Sequence, residues 1–210
     1  MDFTTLPALV GTLTTLEPLS ADHVNELTVA AGEGGLWRAW YTSIPSPDGM
    51  SAEVARRLAL FAAGQMLPWA IRDNARGVVV GMTTFMNIAP EHRHVEIGST
   101  WLAPSAQRTG INAEAKLLLL RHAFERLDCV AVEFRTHWHN QQSRAAIAAL
   151  GARQDGVLHN HQIGQDGTLR DTVVFSIIAS EWPTVRLGLT ERLARHARPR
   201  ERRALAAPGL

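Results

Sequence analysis

The sequence predicts one α/β (α+β) domain, a single layer of sheet with helices against it. Three observations carry the prediction. Short apolar or β-branched runs alternate with longer helix-forming segments in the order β-α-α-β-β-β-α-β-α-β-β, a mixed arrangement. The longest helix-forming segment, Ala113 to Leu127, has no internal Gly or Pro and follows a strand-like run, Val95 to Leu102. At 210 residues, 46% hydrophobic and 20% charged, the chain can bury a core of its own.

Thr12 to Leu19 carries Leu13, Leu16 and Leu19 among polar residues and reads as the first strand. Asp22 can cap a helix to about Ala31, stopped by Gly32-Glu33-Gly34-Gly35. Trp37, Trp40 and Tyr41 precede a loop from Ile44 to Gly49; a second helix starts at Ser51 and ends near Ala63. Leu67 to Arg72 and Val78 to Asn87 are strands joined by the turn Asp73 to Gly77. His94 to Leu102 is the fourth strand and Val130 to Trp138 the fifth. In the fifth, Val130, Val132, Phe134 and Trp138 share one side and Glu133, Arg135 and His137 the other. Ser143 to Leu150 is a short helix. Arg153 to Ile163 and Thr172 to Ile178 are the last strands, and Trp182 to His196 a closing helix. The expected division is an extension over 1–11, the domain over 12–183, a helix over 184–197 and a disordered tail over 198–210, where charges and prolines collect.

The segment Gln107-Arg108-Thr109-Gly110-Ile111-Asn112 joins the fourth strand to the long helix. A helix start exposes unpartnered N–H groups at the positive end of the dipole, which suits a phosphate. Gly110 lets backbone approach a ligand closely, and Arg108 adds a mobile charge. The alternative is an ordinary helix start capped by Thr109 or Asn112.

This segment resembles the Gln/Arg-x-x-Gly-x-Gly/Ala motif of the GNAT N-acetyltransferases, with Asn112 where Gly or Ala is commoner. The RimJ/RimL-like branch is more similar still, from about Leu13 to Trp182. Its matching pieces are Glu96-Ile97-Gly98, Asn140 with Ser143, Leu150-Gly151-Ala152 and Arg170-Asp171-Thr172. The resemblance implies the GNAT fold, a mixed, mostly antiparallel sheet of about seven strands. It implies acetyl-CoA as co-substrate, with no metal, and an amine acceptor: a protein N-terminus, a lysine or a small molecule. The pantetheine arm would lie between the splayed fourth and fifth strands. N–H groups near Trp101 and Leu102 would face the thioester, residues 107–112 would hold the pyrophosphate, and Asn140 would bond the pantetheine.

Acetyl transfer to an amine must remove a proton from the ammonium and tolerate a departing thiolate. Glu96 is the candidate to bind the amine or take its proton; its alternative is an ion pair with Arg93 or Arg135. His137 and His139 are further bases. No Tyr follows the fifth strand, so Ser143 is the candidate acid, with water or direct thiolate release beside it. Asn140 and Ser143 can also simply cap their helix. Trp40 and Tyr41, with Glu96 and His137, form the expected acceptor wall, core packing being the alternative for the aromatics.

Two other functions stay open. One is a non-catalytic acyl-CoA-binding module. The other is a metal-dependent enzyme using His92/His94, His137/His139 or His159/His161, pairs that share a face on a strand. A net charge of +1 argues against nucleic acid. The single Cys129, without a neighbouring base, argues against a nucleophile and fits a reducing cytoplasm. The start at Met1 shows no basic segment before an apolar run, and no apolar run approaches the ~20 residues of a membrane span, so no membrane role is expected. The late strand pair and the Trp182 helix are candidate homodimer surface.

Overall fold

The chain begins with two short strands, β1 (Leu9–Val10) and β2 (Thr14–Pro18), in the computed structural model. The structure describes residues 2–164 and 166–205, with residues 196–205 by backbone alone. A 3-10 turn at Ala21–His23 leads into α1 (Val24–Gly32), and a 3-10 stretch, Glu33–Arg38, follows. Next come α2 (Met50–Ala62), β3 (Met66–Asp73), β4 (Val78–Ala89) and β5 (His94–Leu102). The rest is α3 (Ile111–Glu125), β6 (Ala131–His137), α4 (Gln141–Ala148), β7 (Arg153–Ile163), β8 (Leu169–Ile178) and α5 (Trp182–Leu205).

The eight strands form one sheet in the order β1-β2-β3-β4-β5-β6-β8-β7. Every pairing is antiparallel except β5 with β6. The extra strand over the expected seven is β1, whose two residues are too few to show alternation. The closing helix runs to Leu205, beyond His196 and into the stretch expected as a tail; residues 206–210 lie outside the described ones.

α1 and α2 lie on one face of the sheet, against β4 and β3, and α3 lies on the other with α5 beside it. The α3 face holds the larger apolar core, including Trp69, Phe85, Ile97, Leu119, Leu120, Phe134 and Phe175. Each such side chain contributes roughly 1.5–3 kcal/mol by leaving water. The α2 face buries Leu27, Met50, Val54, Met82 and Trp101. α3 is buried nearly all round because α5 covers the side that the sheet does not. Its Glu114 accepts the N–H groups of Thr12, Leu13 and Thr14 at 3.0, 2.6 and 2.8 Å, pinning the chain ahead of β2. Gly11 is required there, since a Cβ would sit 2.5 Å from Glu114 Oε2.

The fifth predicted strand needs one correction. Val130 and Trp138 fall just outside β6 and are 44% and 38% exposed, so they are not core residues. Trp138 instead lies under the Arg144 guanidinium, 4.2 Å from its ring centroid.

Candidate active site

β5 and β6 pair through only three positions, from His94 opposite Ala131 to Glu96 opposite Glu133. Beyond Glu96, β5 stays with β4, while β6 follows β8 as far as His137 opposite Thr172. The sheet therefore opens into a V between residues 97–102 and 134–137, whose inner edges carry backbone groups without a strand partner. A bulge bends β5 at this point: pairing steps from Thr84–Gly98 to Met82–Trp101, and Ser99 takes φ 46°. The Ala103 N–H donates to Val80 O at 2.8 Å. Successive peptide groups of a strand point to opposite edges, so the Leu102 group faces the V and the Trp101 group faces β4. The Trp101 indole is buried on the α2 face.

Past Leu102 the chain turns through Pro104–Ala106 into Gln107–Asn112. Arg108 has φ 61° and Gly110 φ 95°. Left-handed residues set among ordinary ones gather N–H groups on one side, as in anion-binding nests. Among the described residues, the N–H groups of Arg108, Thr109, Gly110, Asn112 and Ala113 have no hydrogen-bond partner. That of Ile111 reaches Thr109 Oγ1 only at 3.5 Å. Neither Thr109 nor Asn112 caps the helix. Gly110 stands at the cap position without a side chain, the Thr109 hydroxyl donates to Ala106 O, and Asn112 Oδ1 is buried without a partner. Arg108 is exposed. Gln107 donates to Leu102 O and accepts from Gln142 Nε2 at 3.1 Å, which ties the loop to the start of α4. Asn140 Oδ1 caps α4 by accepting the Ser143 N–H at 3.0 Å. The Ser143 side chain is half-buried at that turn.

Glu96 is 4% exposed at the point where the V opens. Its Oε2 accepts from Asn87 at 2.7 Å and lies 3.5 Å from Arg135 Nε. Oε1 has no hydrogen bond among the described residues and lies over Gly98, where a Cβ would sit 2.9 Å from it. Burial pushes the carboxyl above its ordinary range, opposed by Asn87 and Arg135. Arg93 does not join it, bonding Asp128 at 2.7 Å instead.

The segment between α1 and α2 brings Trp40 and Tyr41 over the end of β6. The Trp40 ring is 5.1 Å from His137 and 5.4 Å from His139, and Tyr41 lies 6.5 Å from His137. Trp40 is 60% exposed and Trp37 37%, so neither is a core residue. The lone tyrosine, remote in sequence from Ser143, thus stands beside the strand that precedes it. His137 Nδ1 accepts the His139 N–H at 3.1 Å. A neutral His137 therefore keeps its proton on Nε2 and can donate there but not accept. Burial chiefly, then Arg170 and His139, lower its pKa and favour that neutral form.

Arg170, on β8, is the residue that sequence reading did not place in the site. It shares the face of Glu96, Arg135 and His137, and its buried Nε has no partner. Its place in the Arg170-Asp171-Thr172 motif was the available signal. A second unforeseen cation is Lys116 on α3, 6% exposed, whose Nζ donates to Thr100 Oγ1 at 2.6 Å and Thr83 Oγ1 at 3.2 Å behind the bulge. Burial with no carboxylate partner lowers its pKa to about 7. Cys129 is buried and its thiol pushed up to about 12, which leaves no nucleophile there. No group of three or more His, Cys, Asp or Glu among the described residues is arranged to hold a metal ion. His159 is engaged with Asp171 and His161 with Thr172.

A V-shaped opening between parallel strands leads to a helix start whose N–H groups are free among the described residues. The sequence matches the acetyltransferase (GNAT) domain family over residues 14–153, and the chain belongs to that family. Its members are N-acetyltransferases that take the acetyl group from acetyl-CoA. No curated protein matches the chain. Among solved structures it is similar to a GCN5-related N-acetyltransferase from Brucella melitensis, at 27% identity and TM-score 0.82, covering 90% of this chain and 86% of that one. It is also similar to Mycobacterium smegmatis RimJ in complex with CoA-disulfide, at 23% identity and TM-score 0.76, covering 90% and 96%. A RimL ribosomal alpha-N-protein acetyltransferase in complex with coenzyme A gives 20% identity and TM-score 0.70, covering 82% and 98%. The last two are likenesses of fold. No helix among the described residues is long and apolar enough to cross a membrane.

Proposed function

We propose that the protein transfers acetyl from acetyl-CoA to a primary amine by direct attack in a ternary complex. The carrying observation is the V between β5 and β6, which has Glu96 at its apex and unpartnered amides at the start of α3. In this reading residues 107–112 hold the pyrophosphate, and the Leu102 amide, with Trp101 behind it, polarises the thioester carbonyl. Asn140 bonds the pantetheine through its amide nitrogen, since Oδ1 is committed to the cap. Glu96 Oε1 takes the proton from the ammonium, directly or through water. The amine nitrogen then bonds the carbonyl carbon, the C–S bond breaks, and the thiolate leaves. Ser143 or water hands it a proton and is refilled by the second proton that the nitrogen sheds as the amide forms. His137 serves as a hydrogen-bond donor rather than a base, because Nδ1 is occupied.

Trp40 and Tyr41 wall the acceptor groove. We place the enzyme in a reducing cytoplasm on the single buried Cys129, and a homodimer, if formed, at the exposed β7 edge with α5. A thiol-release screen with acetyl-CoA and peptide, polyamine and amino-acid acceptors tests the reading. Release that depends on one acceptor class supports it. Acetyl-CoA binding with no release from any acceptor would favour a non-catalytic acyl-CoA-binding module.

A further inference from the structure

The acceptor groove carries hydrogen-bond donors that none of the described residues satisfies. Cross-strand partners share a face, so Arg135 opposite Val174 and His137 opposite Thr172 put Arg170, two residues on, on that same face. Arg170 makes no ion pair or hydrogen bond among the described residues, and its Nε is shut away from water without a partner. That nitrogen has lost its hydration and gained nothing in return, while the two terminal nitrogens, also without hydrogen bonds among the described residues, are not shut away. The nearby acids do not relieve it. Glu96 attracts it but bonds Asn87 and Arg135, Glu133 bonds Arg135, and Asp171 is committed to His159 and the Asn160 N–H.

His137 adds a second free donor. With Nδ1 accepting from the His139 backbone, only Nε2–H is left to face the groove. Trp40 and Tyr41 stand against His137 and exclude water from it on one side. A guanidinium fork, an imidazole N–H and an aromatic wall accept a planar anion. On the neighbouring strand Glu96 faces Glu133, four residues of β6 before His137, and its Oε1, without a hydrogen bond among the described residues, stands at the V where an ammonium would arrive.

We infer that the acceptor is an amine that also carries a carboxylate, with Arg170 and His137 binding the carboxylate and Glu96 meeting the ammonium. This rests on the reading of the groove as an acetyl-acceptor site. The carboxylate has two possible sources: the α-carboxylate of a free amino acid, or an acidic side chain close to a peptide N-terminus.

The test uses two matched pairs with the full chain and acetyl-CoA. Alanine is compared with alaninamide, and Ala-Asp-Ala-amide with Ala-Asn-Ala-amide. Thiol release gives kcat/KM, and calorimetry in the presence of CoA gives affinity independently of turnover. One acid is expected to exceed its amide about tenfold or more, as a charge-assisted fork does. The pair that shows the preference names the source. Arg170→Gln should bring that acid down to its amide's level with acetyl-CoA affinity retained, and Arg170→Lys should keep part of the preference. Equal acid and amide in both readouts, or a preference that survives Arg170→Gln, overturns the inference. Acid-selective binding without turnover would uphold it while sinking the catalytic reading.

Discussion

The two faces of the sheet at β5, β6 and β8 are built from alternate residues of the same strands and differ completely. One face presents Val95, Ile97, Val132, Phe134, Val173, Phe175 and Ile177, all nearly or fully buried in the core beneath α3. The other presents Glu96, Glu133, Arg135, His137 and Arg170. The helices of that second face, α1 and α2, lie over β3 and β4, and the Trp40–Tyr41 segment reaches β6. A packed face makes a free donor or acceptor costly, whereas a partly covered one can hold charges that await a ligand. Lys116 breaks the pattern: it is a cation on the sealed side, with only hydroxyl partners.

The sharpest test of the open face is Glu96→Gln. We expect kcat to fall by about a hundredfold, the ordinary scale for losing a general base, with acetyl-CoA affinity little changed. Because burial raises the Glu96 pKa, the acidic limb of the wild-type pH–rate profile should lie above the usual glutamate range and vanish in the variant. Wild-type kcat and an unchanged profile would make Glu96 structural.

Lys116→Met tests the sealed face. The unfolded lysine keeps its proton to about pH 10.4, whereas the folded one releases it near 7. Between those values the unfolded state binds more protons, so stability should rise with pH, by about 2 kcal/mol from pH 7 to 9. Thermal melts of wild type should show the rise and those of Lys116→Met should lose it. The same slope in both would mean that Lys116 is not the group responsible.

Gly110→Val probes the cleft that divides the faces. Its φ of 95° strains any β-branched residue, and the Cβ would keep a phosphate off the amides. Calorimetry should show acetyl-CoA binding weakened about tenfold or more in a folded variant. Unchanged affinity would remove the pyrophosphate from residues 107–112. Trp40→Ala should raise the acceptor KM about 2–10-fold, the scale of one aromatic contact, and the acetyl-CoA KM less. Equal shifts would point to packing instead. Ser143→Ala should have the smallest effect, less than about tenfold on kcat, since a thiolate leaves tolerably without its proton. A larger loss would make Ser143 the necessary acid.

Much of the fold was legible in local pattern. The limits of β5 and β7, and of α2 within a residue or so, follow from alternation, Gly stops and helix formers, each a property of neighbours in sequence. A glycine at the start of α3 was legible for the same reason, but its left-handed φ of 95° was not. The motif around Glu96 showed that a carboxylate stands before the loop, but not which of its oxygens is free. Asn87 and Arg135 take Oε2 across two strand pairings, and no local pattern encodes their register.

What the sequence by itself determined is the family and the order of elements, and it marked the loop at residues 107–112, because these rest on contiguous residues. Tertiary structure alone decided three other things. It laid Tyr41 beside β6, fixed His137 as a donor through one backbone bond, and left Arg170 without a partner among the described residues on the open face. Each depends on which strand stops pairing where. That is set by the balance of packing over the whole sheet, and no segment contains it.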